Sequence, residues 1–488
     1  MELVVQTRYG KVRGRAENGV AAFLGIPYAA PPFGPHRFQA PRPPEPWDGV
    51  RDATAYGPTA PKPAYKSQYG TLLADPEIPG EDCLNLNVWT PDPGGSGMPV
   101  MVWIHGGAFR NGSGAVPTYN GANFARDGVV CVTINYRLGA EGFAYLPGAP
   151  ANRGLRDQIA ALEWVRDNIA AFGGDPGRVT VFGESAGGMS VSTLLSLDLG
   201  LFERAIAQSG AGNIAQTAED ALLITKEMAA RLGVEPTAEA FARLAPDQII
   251  PVQAAVAEEV AAMPDPDRWG ASTAAGGMAL APVLDGDLLT RRPEEAVAAG
   301  AGRGVDLLTG STAEEFRLFL VPTGLIDLIT PDLVDLVAGG MGVPRRVVDG
   351  YRDRHADLAP GDLLSLIITD GLFRVPAVRL AERQSAHART WMYEFAWRSP
   401  LPGLGACHAL ELGFVFDTLR GAGETPMTGP NPPQKLADAM HRAWVDFAAH
   451  GDPGWEPYDA ETRRVRVFDG DGDPVVQDPR GGDRELWG

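Results

Sequence analysis

Twelve residues, VTVFGESAGGMS (179–190), restrict the fold of this chain more than any other stretch of it. A β-branched apolar run (179–182) passes through Gly183-Glu184-Ser185-Ala186-Gly187 into MSVSTLLSL (189–197), which reads as a helix. A polar residue held at such a strand-to-helix elbow takes a strained backbone conformation. The positions two residues to either side must be small, because strand and helix pass close together there. The turn would lift the Ser185 hydroxyl above the end of a sheet, at the positive end of a helix that favours developing negative charge. An ordinary tight turn could also use these glycines. The strand before it and the helix after it instead point to Ser185 as a nucleophile.

The rest of the chain agrees with a sheet that could carry this elbow. PVMVWIH (99–105) and VVCVTINY (129–136) are short, apolar and β-branched, as strands buried on both faces are. Leu155, Ile159, Leu162, Val165 and Ile169 recur at helical spacing between them and the elbow. Further strands are expected at 204–208, 305–310 and 390–397. Strands alternating with helices predict an α/β fold, with a large, mostly parallel central sheet flanked by helices and joined by right-handed crossovers. The stretches from about 215 to 280 and from about 320 to 360 read as helical insertions laid over that sheet. Because the sheet resumes after each, residues 1–488 are expected to form one domain with a cap.

Composition removes several function classes. A formal net charge of -19 repels nucleic-acid phosphates and anionic membranes, and no basic stripe offsets it. No apolar run approaches the ~18 residues of a membrane span. The N-terminus reads as strand-like alternation rather than a leader, and three cysteines make a poor disulfide framework. A cytoplasmic protein is expected, a monomer or small homo-oligomer. No His/Cys/Glu cluster has metal-ligand spacing, so neither metal nor cofactor is expected.

A tetrahedral intermediate needs backbone N–H donors fixed where its oxyanion forms. WIHGGAF (103–109) follows a predicted strand upstream of the elbow. Gly107 and Ala108 are candidate donors there, with Ala186 after the nucleophile as a third and Gly106 supplying conformational freedom. A glycine-rich turn would read the same in isolation.

At this point the sequence resembles the type-B carboxylesterases, the carboxylesterase, cholinesterase and para-nitrobenzyl esterase group of α/β-hydrolases. The resemblance runs through FLGIPYAAPPFGPHRF (23–38), EDCLNLNVWTP (81–91), WIHGGAF (103–109), NYRLGAEGF (135–143), GLRDQIAALEWVRDNIAAFGGDP (154–176), FGESAGG (182–188) and GACHALELGFVF (405–416). It implies the α/β-hydrolase fold and hydrolysis of small-molecule carboxylic esters through an acyl-enzyme. The bacterial para-nitrobenzyl esterase-like branch is nearest.

A serine hydroxyl needs a histidine to take its proton and a carboxylate to hold that histidine. Of seven histidines, His408 sits in a small-residue turn after a strand and matches the family's base. Counting from Gly310, the family's acid falls on Glu315, with Glu314 as the substitute; Phe316 stands where the family usually has glycine. Ser209 falls where the family often has a second serine, which would steady the His408–Glu315 pair or cap its own strand. The resemblance further implies ion pairs Arg37–Glu81 and Arg137–Asp175. Cys83, disulfide-bonded in secreted relatives, has no partner in 59–65 and is expected to be a free buried thiol; Cys407 beside His408 is expected to be a small buried residue. With no tryptophan between 53 and 87 to hold a quaternary ammonium, choline esters are not the expected substrates. Short-chain acyl or aromatic esters are, with carbamates or synthetic aromatic diesters the alternative. A non-catalytic adhesion module is disfavoured because serine, acid and histidine are all present.

Overall fold

The computed structural model describes residues 3–17, 19–423 and 425–488. In chain order the strands of its central sheet are β1 (Arg15–Glu17), β2 (Val20–Pro27), β3 (Asn85–Thr90), β4 (Met98–Ile104), β5 (Val130–Ile134), β6 (Gly174–Glu184), β7 (Arg204–Gln208), β8 (Asp306–Thr312), β9 (Thr390–Phe395), β10 (Arg464–Phe468) and β11 (Val475–Gln477). Their spatial order is β11-β10-β9-β8-β7-β6-β4-β5-β3-β2-β1. The strands from β5 across to β10 pair parallel throughout. The remaining pairings, β1–β2, β2–β3, β3–β5 and β10–β11, are antiparallel. The sheet is thus a mixed one with a parallel centre.

Side chains alternate across that centre, and both faces are buried. Val100, Val102 and Ile104 of β4 pack into one core with Leu155, Leu162 and Leu194. These come from α1 (Arg153–Asn168) and α2 (Ala186–Leu195). Met101 and Trp103, between them in sequence, face a second core. There they meet residues of a long C-terminal helix, Gln434–His450, including Trp444 and Phe447. A strand buried on both sides has no polar alternate positions, which is why these segments read as unbroken apolar runs.

Helices fill the two long connections flanking β8. Between β7 and β8 lie α3 (Ala218–Leu232) and α4 (Pro246–Ala262); between β8 and β9 lie α5 (Pro331–Gly340), α6 (Arg345–Arg354), α7 (Pro360–Thr369) and α8 (Val375–Ser385). Local chemistry sets their ends. The Thr217 and Thr330 hydroxyls accept from the Asp220 and Leu333 amides as N-caps, and Gly233 ends α3 at φ 67°. α5, α6 and α7 enclose a small core of their own around Val334, Val347, Tyr351 and Ile367.

Two ion pairs differ from those the resemblance implied. Arg37 pairs with Glu141 at 2.5 Å, both side chains 8% exposed, while Glu81 lies at the surface. Arg137 grips Asp157 through Nε at 2.8 Å, Nη2 at 2.7 Å and its own amide at 3.0 Å. Asp175 instead accepts from the Gly177 amide two residues on. The fork of a buried guanidinium needs a carboxylate in its plane, and α1 supplies Asp157 there. Cys83, Cys131 and Cys407 are buried free thiols. Among the described residues no helix is long and apolar enough to cross a membrane.

Candidate active site

β6 ends at Glu184, and Ser185 takes φ 57°, ψ -125° as the N-cap of α2. That sparsely populated conformation costs of the order of 1–3 kcal/mol and persists only where the surroundings impose it. They do so here through backbone bonds on both sides. The Ser185 amide donates to Gln208 O at 3.0 Å, and the Met189 amide donates to Ser185 O at 2.8 Å. Closeness also explains the glycines. A Cβ on Gly183 would lie 2.6 Å from both the Gly187 carbonyl carbon and Ile104 O; one on Gly187 would collide with that same carbonyl.

The oxyanion candidates lie beside this turn. A Cβ on Gly106 would fall 2.7 Å from Glu184 O and 3.1 Å from Ser185 Cβ, so glycine is required there for close approach. The conformational freedom expected of Gly106 belongs instead to its successors: Gly107 has φ 107°, and Ala108 and Phe109 are held at 52° and 58°. No described group accepts from the amides of Gly107, Ala108 or Ala186. Gly107, Ala108 and Ser185 are partly exposed among largely buried neighbours, which leaves them open to a ligand. His105 stays beneath the loop, stacked on Tyr136 with Nδ1 2.8 Å from Gly106 O; burial pushes its imidazole down to about 3, so it remains neutral.

His408 Nδ1 lies 2.5 Å from Glu315 Oε2. Glu315 is fully buried, and the Thr312 amide donates to its other oxygen at 2.8 Å, which fixes the carboxylate plane. Glu314 points elsewhere: its Oε2 accepts from the Ala406 amide at 2.9 Å and meets Arg398 at 3.0 Å. The aromatic rings of Phe319 and Phe373 flank His408, with centroids 5.3 and 5.1 Å away. Phe373 is carried there by a π-turn, Asp370–Arg374, that links α7 to α8.

Two expectations are not met in this geometry. The Ser209 hydroxyl is buried without a hydrogen-bond partner among the described residues, so it braces neither His408 nor Glu315. No hydrogen bond joins Ser185 to His408; Nε2 lies instead 3.0 Å from Glu184 Oε1, within ion-pair distance but outside hydrogen-bond geometry. Catalytic hydrogen bonds are often loose before substrate binds.

The sequence profile of the carboxylesterase family matches residues 1–473. Among curated proteins, the para-nitrobenzyl esterase of Bacillus subtilis (strain 168) is 41% identical, covering 96% of this chain and 94% of its own. The phenmedipham hydrolase of Pseudarthrobacter oxydans is 33% identical, covering 97% of each. Among solved structures, the carboxylesterase of Geobacillus stearothermophilus at pH 6.2 superposes with a TM-score of 0.87 at 37% identity, over 100% of both chains. The chain belongs to the carboxylesterase family. It is a carboxylic ester hydrolase with the α/β-hydrolase fold.

Electrostatics in this carboxylesterase turn on carboxylates that sequence reasoning missed. Burial would lower the His408 imidazole, but the charges of Glu184 and then Glu315 outweigh it and push the group up to about 9. Burial raises Glu184 to about 7, opposed by His408 and reinforced by Glu315. Glu411, fully buried, is driven well above the usual carboxylate range by burial and by the charges of Glu184 and Glu315. It is tied in by Gln208, whose Nε2 donates to it at 3.2 Å and whose Oε1 accepts from Trp444 at 2.9 Å. Glu184 lies inside the elbow motif and Glu411 three residues after His408, so both stood next to residues already singled out. Nothing in the sequence says that either carboxylate turns inward.

Proposed function

We propose that the protein cleaves short-chain acyl or aromatic carboxylic esters through an acyl-enzyme on Ser185. The observation that carries this reading is the convergence of the Ser185 elbow, the unengaged amides beside it and the 2.5 Å His408–Glu315 pair. His408 takes the Ser185 proton as the hydroxyl attacks the ester carbonyl. The amides of Gly107, Ala108 and Ala186 receive the oxyanion, and His408 returns its proton to the departing alcohol. Water, deprotonated by the same imidazole, then releases the acid. Glu315 holds the imidazole in one tautomer and stabilises its protonated form, and no cofactor enters any step. Phe319 and Phe373 give the histidine an apolar surround that suits aromatic or short alkyl groups.

We further take residues 1–488 as one cytoplasmic domain, a monomer or small homo-oligomer, with the helical insertions at about 215–280 and 320–360 as its cap. Carbamates and synthetic aromatic diesters are the second reading, to which the similarity with a phenmedipham hydrolase lends weight. The test is hydrolysis of p-nitrophenyl esters from C2 to C12 by wild type and Ser185→Ala. Activity peaking on short chains, and lost in the variant by ~10³-fold or more, is expected. A peak on long chains would move the substrate class towards lipids, and equal inactivity of both proteins would reopen the binding-module reading.

A further inference from the structure

The segment that begins at Thr59 returns to its own start. The Thr59 amide donates to Ile78 O at 3.0 Å, and the Ile78 amide donates to the Thr59 hydroxyl at 3.1 Å. Within this loop, the Lys62 ammonium and the Asp75 carboxylate form an ion pair whose side chains are only 3% and 6% exposed. The loop is attached elsewhere as well, Leu72 O accepting from the Thr425 hydroxyl at 3.2 Å. Tyr69 donates to Phe319 O at 3.1 Å, and Lys66 meets Glu258 at 2.8 Å with both side chains about half exposed.

The remaining bonds of the buried pair all go to one place. Lys62 Nζ donates to Gly112 O at 3.1 Å. Asp75 Oδ2 accepts from the Gly112 amide at 3.3 Å and from Asn111 Nδ2 at 3.1 Å. Asn111, itself 2% exposed, also donates to Pro63 O at 2.6 Å. One step further in, the Arg110 and Asn111 amides both donate to Gly107 O, at 3.0 and 2.9 Å. An unbroken series of hydrogen bonds therefore runs from the ion pair to the peptide unit that carries the Ala108 amide.

Taking two charges out of water is costly, and a well-packed apolar pair of similar volume often holds a fold as well or better. An apolar pair could not bond the amide and carbonyl of Gly112 or the carboxamide of Asn111. What the charges add is orientation of the loop, and the loop they orient holds Gly107 and Ala108 in left-handed conformations that need outside support. We infer that Lys62 and Asp75 are positioning residues for the oxyanion loop: by gripping Asn111 and Gly112 they set the distance from Ser185 to the Gly107 and Ala108 amides. The inference rests on the serine-esterase reading above and names residues of the same site that touch no substrate.

The test is the double variant Lys62→Met/Asp75→Leu, which removes both charges together and leaves neither uncompensated. Melting temperature, kcat and KM on p-nitrophenyl acetate, and the affinity of an alkyl boronic acid as a tetrahedral analogue would be measured beside wild type. A positioning role predicts a folded variant with a modestly lower melting temperature, since Gly112 and Asn111 lose their partners. It also predicts kcat lower by ~10–100-fold, KM little changed and a parallel loss of boronate affinity, since a displacement of ~1 Å costs about that much. Should the double variant not fold, Asn111→Leu carries the same test with the ion pair left in place. A folded variant with wild-type kcat and boronate affinity would overturn the inference while leaving the esterase reading intact. Wild type inactive on the ester would overturn the esterase reading and the positioning role with it.

Discussion

His408 faces two carboxylates, and geometry separates their roles. Glu315 lies 2.5 Å from Nδ1 and is held by the Thr312 amide, whereas Glu184 approaches Nε2 at 3.0 Å without hydrogen-bond geometry. Glu315→Gln should therefore lower kcat by on the order of 10³–10⁴-fold, the scale of losing the tautomer-setting acid in a serine triad. Glu314→Gln, which touches Ala406 and Arg398 instead, should change kcat by less than about threefold. A reversal of those two effects in steady-state assays would transfer the acid role to Glu314. Glu184 acts through charge. The imidazole, raised to about 9, is protonated and unable to accept the Ser185 proton below that pH, so activity should climb through an acid limb as pH rises. Glu184→Gln removes a charge that favours the protonated form. The pH profile of kcat/KM should then have its acid limb shifted to lower pH, and a limb that stays or rises would show that Glu184 does not tune the base.

At the scale of the element, the elbow depends on how closely α2 lies against β4 and β7. Gly187→Ala would place a methyl group in the Ile104 carbonyl. Backbone cannot yield there, so little soluble enzyme and a clearly lower melting temperature are expected. Gly339→Ala is the control: it lies in α5 with nothing within 4 Å of an added Cβ, and should stabilise by about 0.5–1 kcal/mol. If both substitutions proved equally harmless by thermal melts, the close approach at the elbow would be in doubt. These packing demands also explain what could be read in advance. Strands β4 and β5 and the 179–182 part of β6 declare themselves because burial on both faces leaves them mostly apolar and β-branched. β3 does not, since it buries Asn85 and Asn87 for hydrogen bonds to Pro58 O and the Thr133 hydroxyl, and polar residues in a strand break the pattern. β1 and β11 are three residues each, too short to show a period. The elbow at Ser185 was legible because it is a local structure, whereas His408 was singled out by its small-residue turn together with its match to the family's base. The partners of Arg37 and Arg137 were not: acids occur all along the chain, and only the folded path brings Glu141 and Asp157 to those guanidinium groups.

For the whole molecule, a net charge of -19 sets a negative field around the protein. Around His408 the fold gathers Glu184, Glu315 and Glu411, but Glu411 is driven well above the usual carboxylate range and the raised imidazole offsets the charge of Glu315. The repulsion of anions therefore comes from the net charge of the whole protein. In an ester hydrolase this outer field acts on the two products differently, because the alcohol leaves neutral while the acid leaves ionised. The same field should act against an ester that arrives with a charge. At about 0.01 M salt the Debye length is ~30 Å and the field extends well beyond the protein surface; at about 0.15 M it contracts to ~8 Å. Raising salt across that range should increase kcat/KM for a p-nitrophenyl ester bearing a free carboxylate by about twofold or more, mainly through KM, while a neutral ester of equal length stays level. The contrast between the two esters separates screening from any effect of salt on folding, which would move both. A decrease for the anionic ester alone would mean that local positive charge, rather than the net charge, governs approach to Ser185.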